Sequence, residues 1–254
     1  MRYAKDSLVI SGERDIPLLR QARNSRFVSH QQLFEFMKFG GFDRSRNSFN
    51  WRVKRLVKYG QLDFCQGAYG AGSAVYRIAR GGIAQLEHHG EFTTVLHSNT
   101  AHLPHPSQVL HSLELNRIRL ALAHKNLLAS WQSEVEVASF NTIARSPYQK
   151  DYDAIVEVWI GEKTARFALE YERTLKSCKH YERIRVALQA ERQIGCILYL
   201  TSGVEVLLHL VREFESVTKP LAFANARDFA TTLLDTTVVT GRDASTTRFR
   251  ELLQ

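Results

Sequence analysis

Residues 151–176, DYDAIVEVWIGEKTARFALEYERTLK, contain two apolar segments with the alternation of β-strands. Successive side chains of a strand point to opposite faces of the sheet. Every second residue from Ala154 to Ile160 is apolar, so the first segment has one apolar face. The same holds for Phe167, Leu169 and Tyr171 in the second segment. Two such segments in succession predict neighbouring strands of a sheet.

Acidic residues lie on the opposite faces of these predicted strands. Asp151 and Asp153 begin the first strand, and Glu170 and Glu172 end the second. Pairing of the strands would bring Asp153, Glu170 and Glu172 together at the strand ends. Carboxylate oxygens suit Mg²⁺ or Mn²⁺. With a phosphodiester as substrate, such an ion would polarise the phosphorus and lower the pKa of an attacking water.

The alternative interpretation is that these carboxylates are simply solvated on the outer face of a strand. Two features favour a functional site instead. Glu170 and Glu172 follow an apolar stretch, where a pair of bare charges would be costly in a partly buried strand. Lys176 follows within a few residues, close enough to balance the carboxylates or to stabilise a developing negative charge.

Helical and strand patterns alternate on both sides of these two strands. Helices are predicted over residues 108–128, 177–193 and 204–215, and strands over SEVEVASF (133–140), CILYLTS (196–202) and PLAFA (220–224). The tail after Asp235 is predicted to form a loop and a terminal helix. The order α-β-β-β-α-β-α-β predicts an α/β (α+β) domain, a mixed sheet flanked by helices, over residues 108–254.

The first 90 residues have a different organisation. Apolar residues recur at helical spacing in residues 15–23, in the segment that follows Ser29, and in residues 44–59, RSRNSFNWRVKRLVKY. The last of these has one apolar stripe, formed by Phe49, Val53, Leu56 and Val57. Residues 62–79 then predict two strands around a glycine-rich tip, Gly67–Gly72, before a last small helix.

This order of elements predicts a winged helix-turn-helix domain over residues 1–90, with residues 44–59 in the recognition position. The alternative is a helix pair and a hairpin with a solvated, charged face. On the polar face and at the start of the predicted helix, six side chains are candidates for contacts to DNA: Arg44, Arg46, Asn50, Lys54, Arg55 and Lys58. Arginine and asparagine read guanine and adenine edges, whereas lysine more often contacts phosphate.

The distribution of charge supports a nucleic-acid partner. Up to Gly90 there are 15 Lys and Arg against 7 Asp and Glu, a difference of +8, whereas the remaining 19 and 19 cancel. The whole net charge therefore belongs to the first third of the chain. Such a surplus favours a polyanion, because phosphate contacts release counterions. A basic surface that merely aids solubility is the alternative.

The composition excludes several other classes of protein. No apolar run approaches the roughly 20 residues that cross a bilayer, and the N-terminus has no secretion signal. Cys65, Cys178 and Cys196 are odd in number and far apart, which argues against a zinc site or a disulfide framework. The chain is therefore expected to be cytoplasmic. Residues 91–107 are predicted to be a linker, and the histidines near it follow no metal-ligand spacing.

The sheet order and the D…E-x-E arrangement resemble the PD-(D/E)xK nucleases, whose core is that of restriction endonucleases. The resemblance matches Asp153 to the family's strand aspartate, Glu170 to the glutamate of E-x-K, and Glu114 to the helix glutamate. The lysine of E-x-K is replaced by Glu172 in this chain. Lys176, in the following turn, would then supply the lysine.

The combination of a winged helix with this core resembles the replication-relaxation family, and more narrowly the nuclease-like (MOBC-type) conjugative relaxases of mobilisable plasmids. The similar segments are HSLELNRIRLAL, WQSEVEV, KDYDAIVEVW and FALEYERTLKSCKHYERI. The resemblance implies that Asp153, Glu170, Glu172 and Lys176 form the catalytic and metal-binding set. Tyr181 matches a tyrosine of the family, although its periodicity equally predicts a packing residue of a helix.

Three functions remain open from the sequence. The first is a Mg²⁺- or Mn²⁺-dependent endonuclease that nicks double-stranded DNA, as a conjugative relaxase does at a transfer origin, with a homodimer or an accessory mobilisation protein as further partners. The second is a DNA-binding regulator of plasmid replication or transcription with an inactive nuclease domain, which the missing lysine of E-x-K supports. The third is a defence nuclease that makes double-strand breaks.

Overall fold

The computed structural model describes residues 8–65, 74–93, 105–145, 147–241 and 244–254. The chain divides into two compact units, Met1–Asn116 and Arg117–Gln254. The predicted glycine-rich tip, Gly67–Gly72, and most of the predicted linker lie outside the described residues. None of the described helices combines enough length with enough apolar character to span a bilayer.

The first unit contains helices and a three-stranded antiparallel sheet of order β1-β3-β2. Its elements are α1 (Asp15–Ser25), β1 (Val28–Ser29), α2 (His30–Phe39), α3 (Arg46–Lys58), β2 (Leu62–Cys65), β3 (Val75–Ile78), α4 (Arg80–His88) and the first part of α5 (Pro106–His124). The boundary between the units falls within α5. The predicted helices and hairpin strands of this region are therefore all present, in the predicted order.

The helix α3 forms because its apolar residues repeat with the helical period. Phe49, Val53 and Leu56 are buried, as the predicted stripe requires. Gly60 follows the helix with φ +65°, a conformation that other residues rarely adopt. The helix begins at Arg46, two residues later than predicted, so Arg44 lies in the preceding segment.

The second unit is a seven-stranded mixed sheet flanked by helices, so the predicted α/β class is confirmed. Its elements are β4 (Leu128–Ser133), α6 (Glu134–Ile143), β5 (Ala154–Ile160), β6 (Lys163–Glu172), α7 (Cys178–Ala190), β7 (Ile197–Thr201), α8 (Val204–Glu213), β8 (Leu221–Asn225), α9 (Ala226–Thr232), β9 (Thr237–Thr240), β10 (Thr246–Arg248) and α10 (Phe249–Leu252). The strand order is β10-β9-β8-β7-β6-β5-β4. The pairs β6–β7 and β7–β8 are parallel, and the others are antiparallel.

The prediction of a strand over residues 133–140 is wrong, because this segment is the helix α6. The Ser133 backbone N–H and hydroxyl both donate to the Glu136 carboxylate, at 2.8 and 2.7 Å. This serine and glutamate form a capping box, which stabilises a helix start. The strand that pairs with β5 is instead β4, which includes residues predicted to end the preceding helix.

The prediction for the tail is wrong in part. Residues after Asp235 form β9 and β10, which extend the sheet beyond β8, before the short helix α10. Phe249 of α10 is fully buried and its ring lies 5.0 Å from that of Phe167 on β6. The opposite face of the sheet packs in a second cluster, where Ile155 and Ala168 meet the aromatic rings of Tyr199 and Phe223.

Candidate functional site

One edge of the seven-stranded sheet gathers the predicted acidic residues. Asp153 immediately precedes β5, and the pairing Ala154↔Leu169 places it beside Glu170 near the end of β6. The Asp153 carboxylate accepts the backbone N–H of Tyr171 at 2.7 Å. Because residues two apart share a face, Glu170 and Glu172 lie on the same side of β6. The three predicted residues therefore meet at one edge.

Glu170 is one of the two buried glutamates of this cluster. Its side chain is 8% exposed, and its Oε2 lies 2.5 Å from the Lys150 Nζ. Oε1 has no hydrogen-bond partner among the described residues. Burial raises the pKa of Glu170 to about 7; Lys150 opposes this shift, and the Asp153 charge adds to it. Burial therefore favours the protonated form of this carboxyl.

Glu172 is paired with the lysine that the sequence proposed. The Glu172 Oε2 lies 2.6 Å from the Lys176 Nζ. Burial opposes the charged form of Lys176, but the carboxylates of Glu172, Glu170 and Asp153 raise its pKa above the usual value. Lys176 is thus a permanent cation beside the acidic cluster, four residues after Glu172.

Tyr181 is a buried residue that contacts the backbone of Lys176. Its side chain is fully buried on α7, and its hydroxyl oxygen accepts the Lys176 backbone N–H at 3.1 Å. The ring packs against His209 and Phe214. Burial raises the pKa of the phenol. These contacts favour the interpretation of Tyr181 as a packing residue that holds the turn of Lys176.

Two residues of the cluster were not identified from the sequence. Lys150 contacts Glu170 from the segment before β5, and Tyr199 pairs with Glu170 in the register of the parallel strands β6 and β7. The Tyr199 hydroxyl is buried without a hydrogen-bond partner in the described chain, and burial raises its pKa well above the usual value. The sequence KDYD carried a signal for Lys150, whereas the position of Tyr199 depends on which strands pair.

The chemistry of these donors fits a hard divalent cation. The Glu170 Oε1 is a buried carboxylate oxygen without a partner, and such atoms mark sites for water or ions. Among the described residues, no three His, Cys, Asp or Glu side chains are grouped as metal ligands. The two lysines balance the carboxylates instead. Glu114, the proposed helix glutamate, belongs to the first unit.

A second candidate surface is the exposed face of α3 in the first unit. Lys54 and Lys58 are exposed and form no ion pair with any described residue. Arg44 is exposed just before the helix. Part of the uncompensated charge that the sequence located in this third of the chain therefore lies on and beside α3.

Two other predicted DNA contacts are already engaged within the unit. The Asn50 Oδ1 lies 2.8 Å from the His30 Nε2, so one acceptor position of the Asn50 amide is already used. Arg46 donates to the Gln31 Oε1 at 2.8 Å and lies over the Phe34 ring. Both side chains remain at the surface, but reading a base edge requires exchange of these contacts.

Arg55 has a different environment from the one predicted. It donates to the buried Asp15 carboxylate at 2.5 Å and to the Val9 carbonyl at 2.9 Å. The neighbouring Arg52 is buried and lies 2.5 Å from Asp43. Arg55 therefore anchors α3 to the unit, and its role in DNA binding is indirect at most in this conformation.

Neither surface is explained by a known relative. No family model, curated protein or solved structure matches the chain. Two features of the described residues bear on function: a buried acidic cluster with two lysines at the edge of a sheet, and a helix with two exposed lysines.

Proposed function

We propose that this chain is a DNA-binding protein whose second unit is a Mg²⁺- or Mn²⁺-dependent endonuclease that nicks one strand, in the manner of a conjugative relaxase at a plasmid transfer origin. The observation that carries the proposal is the cluster of Asp153, Glu170 and Glu172 at one sheet edge, with a lysine beside each glutamate. Carboxylates and lysines together are the groups that act on phosphodiesters.

The roles of the residues follow from their positions. Asp153 and Glu170 would hold the cation, since Glu170 offers a buried oxygen without a partner. When bound, the cation would make the phosphorus more electrophilic and an attacking water more acidic. Lys150 and Lys176 would attract the phosphate and stabilise its negative charge. Glu172 keeps Lys176 charged and in place.

The first unit would deliver the DNA. Its order of helices and strands supports a winged helix, in which α3 would take the recognition position. Lys54 and Lys58 would contact phosphates, because both are exposed and neither forms an ion pair with a described residue, although the Lys58 ammonium lies over the Tyr59 ring. Replacing both with alanine should weaken binding to all DNA sequences and reduce the slope of log affinity against log salt by about 1.8. An unchanged slope in a fluorescence anisotropy titration contradicts this placement.

The experiment for the proposed activity uses supercoiled plasmid carrying candidate transfer origins, with Mn²⁺ or Mg²⁺ and the full chain. We expect conversion to open circles, and loss of that conversion by at least a hundredfold in Glu170→Ala, on the order of the effect of losing a metal ligand. The exposed Glu162→Ala is the matched control and should nick like the wild type. Conversion by neither metal, with DNA binding intact, contradicts the nuclease proposal.

A second candidate function is a regulator with an inactive nuclease domain. The ion pairs of Glu170 and Glu172 with lysines favour it, because both carboxylates are already balanced by protein cations. The departure of Glu172 from the E-x-K pattern points the same way. Binding of DNA without nicking, and without any response to Mn²⁺, is the outcome that this alternative predicts.

A further inference from the structure

A large aromatic side chain is exposed in the middle of the polar face of α3. Trp51 is 65% exposed, whereas the neighbouring Phe49, Arg52 and Val53 are buried. Tryptophan is mostly buried in folded proteins, and an exposed one often marks a binding surface. Trp51 is also missing from the contacts that the sequence predicted.

The ring of Trp51 has a fixed support on one side. The guanidinium carbon of Arg55 lies 5.3 Å from the centre of the Trp51 ring, a cation–π contact. Arg55 is held by the buried Asp15 carboxylate at 2.5 Å and by the Val9 carbonyl. The indole is therefore placed by a chain of contacts that begins in the core, while most of its surface remains open to solvent.

The charges near Trp51 indicate the class of partner. Lys54 and Lys58 follow at spacings of three and seven residues, which places them on the same side of the helix. Neither lysine forms an ion pair with the described residues. An apolar protein surface would desolvate these ammonium groups without compensation. An aromatic ring beside unpaired cations is instead the combination that binds bases and phosphates together.

We propose that Trp51, supported by Arg55, is a stacking platform for an unpaired base, so that the α3 surface binds opened DNA more tightly than fully paired duplex. The inference rests on the proposed DNA binding by α3 and names the state of the DNA that it prefers. In a paired duplex both faces of a base are covered by its neighbours, so only an unstacked base can lie on the indole. A preference for opened DNA would suit a protein that acts on one strand.

The test compares two fluorescein-labelled hairpins of the same stem sequence, one fully paired and one with a bubble of unpaired thymines. We expect the full-length wild type to bind the bubble hairpin about tenfold more tightly, given the usual contribution of one stacked base. Trp51→Ala should remove this preference and leave affinity for the paired hairpin within about twofold, while Trp51→Phe should retain most of it. Because Trp51 is largely exposed, we expect neither substitution to unfold the chain, and a thermal melt of each variant checks this expectation.

A second readout is the fluorescence of Trp51 in a Trp131→Phe, Trp159→Phe background, where it is the remaining tryptophan. Stacking predicts strong quenching by the bubble hairpin and little quenching by the paired one. Equal loss of affinity for both hairpins in Trp51→Ala overturns the platform but leaves α3 as the DNA surface. Both the platform and the assignment of α3 as the DNA surface are overturned if affinity for the two hairpins is unchanged in Trp51→Ala and also in the double variant Lys54→Ala, Lys58→Ala.

Discussion

Among the described residues, one cluster of buried charge in each unit invites comparison, because the two are built from different cations. In the first unit, Asp15 and Asp43 are each met by two arginines, with Arg52 shared between them. In the second unit, Glu170 is met by the single ammonium of Lys150 and retains an unpartnered oxygen. Arginine offers a planar fork of five donors that is never deprotonated, whereas lysine is a point charge that another cation can replace.

This difference separates a structural network from a candidate site. The arginine network ties α1, the segment before α3 and α3 itself together, and Arg52 is its centre. The Asp15 Oδ1 is also buried without a hydrogen bond among the described residues, although the Arg52 Nε lies 3.4 Å from it, and burial raises the pKa of Asp43. The lysine cluster consists of Asp153, Glu170 and Glu172 with Lys150 and Lys176. It has one buried oxygen without a partner among the described residues, the Glu170 Oε1, and the pKa of Glu170 is raised to about 7. Because both clusters combine an oxygen without a hydrogen bond with a raised carboxyl pKa, what distinguishes the second is that its cations are lysines, which another cation can replace.

The largest effect is expected from breaking the arginine network. Arg52→Met leaves Asp43 with Arg14 alone and Asp15 with Arg55 alone, and should lower the free energy of unfolding of the first unit by about 3 kcal/mol, the lower end of the cost of breaking a buried ion pair. Urea denaturation followed by Trp51 fluorescence, with Trp131 and Trp159 replaced by phenylalanine, measures it. The exposed Arg44→Met is the control and should change stability by less than about 0.5 kcal/mol. A similar small change in Arg52→Met contradicts the structural role.

The next largest effect is the contribution of Glu170 to the pH dependence of folding stability. Because its pKa is raised in the folded chain, the folded state holds a proton that the unfolded state has already released, so this group makes stability fall as pH rises from about 4.5 to 7. Glu170→Gln removes that dependence. In EDTA, the stability of the variant relative to the wild type should therefore increase by about 2–3 kcal/mol between pH 4.5 and pH 8. A difference that is independent of pH contradicts the shifted pKa.

The smallest effect distinguishes two buried hydroxyls. Tyr181→Phe removes the acceptor of the Lys176 backbone N–H and should cost about 1 kcal/mol of folding free energy, with a severalfold loss of nicking rate through Lys176. Tyr199→Phe is the matched variant, since its hydroxyl has no hydrogen-bond partner in the described chain and its removal should be neutral or stabilising. Equal stability losses in the two variants, measured by urea denaturation, run against this contrast.

The sequence predicted those elements whose periodicity is local. The stripe of α3 and the strands β5 to β8 follow from spacing, because burial imposes the period of each element on the residues themselves. The helix α6 was misread since Val135 and Val137 alternate with glutamates, although Ser133 and Glu136 carried a capping signal. The strands β9 and β10 are short and rich in threonine, and they are strands through their pairing with the sheet edge.

The residues of the candidate site also divide into those that local spacing predicts and those that depend on tertiary pairing. Alternation along two strands was enough to place Asp153, Glu170 and Glu172 together. The lysine of Glu170 was not identified, since Lys150 lies outside any periodic element. Tyr199 joins the cluster only through the parallel pairing of β6 and β7, which no local pattern encodes. Contacts that depend on tertiary register are the part that sequence periodicity does not contain.

We propose that the lysine cluster of the second unit exchanges a proton and a protein contact for a divalent cation. Calorimetric titration of the metal-free full chain with Mn²⁺, in buffers of different ionisation enthalpy, tests it independently of any DNA sequence. We expect binding at pH 6 with release of a proton from Glu170, less release at pH 8, and at least tenfold weaker binding without that release in Glu170→Gln. The exposed Glu162→Gln should bind like the wild type. No binding of Mn²⁺ by the wild type, or the same heat and proton release in Glu170→Gln, contradicts the claim.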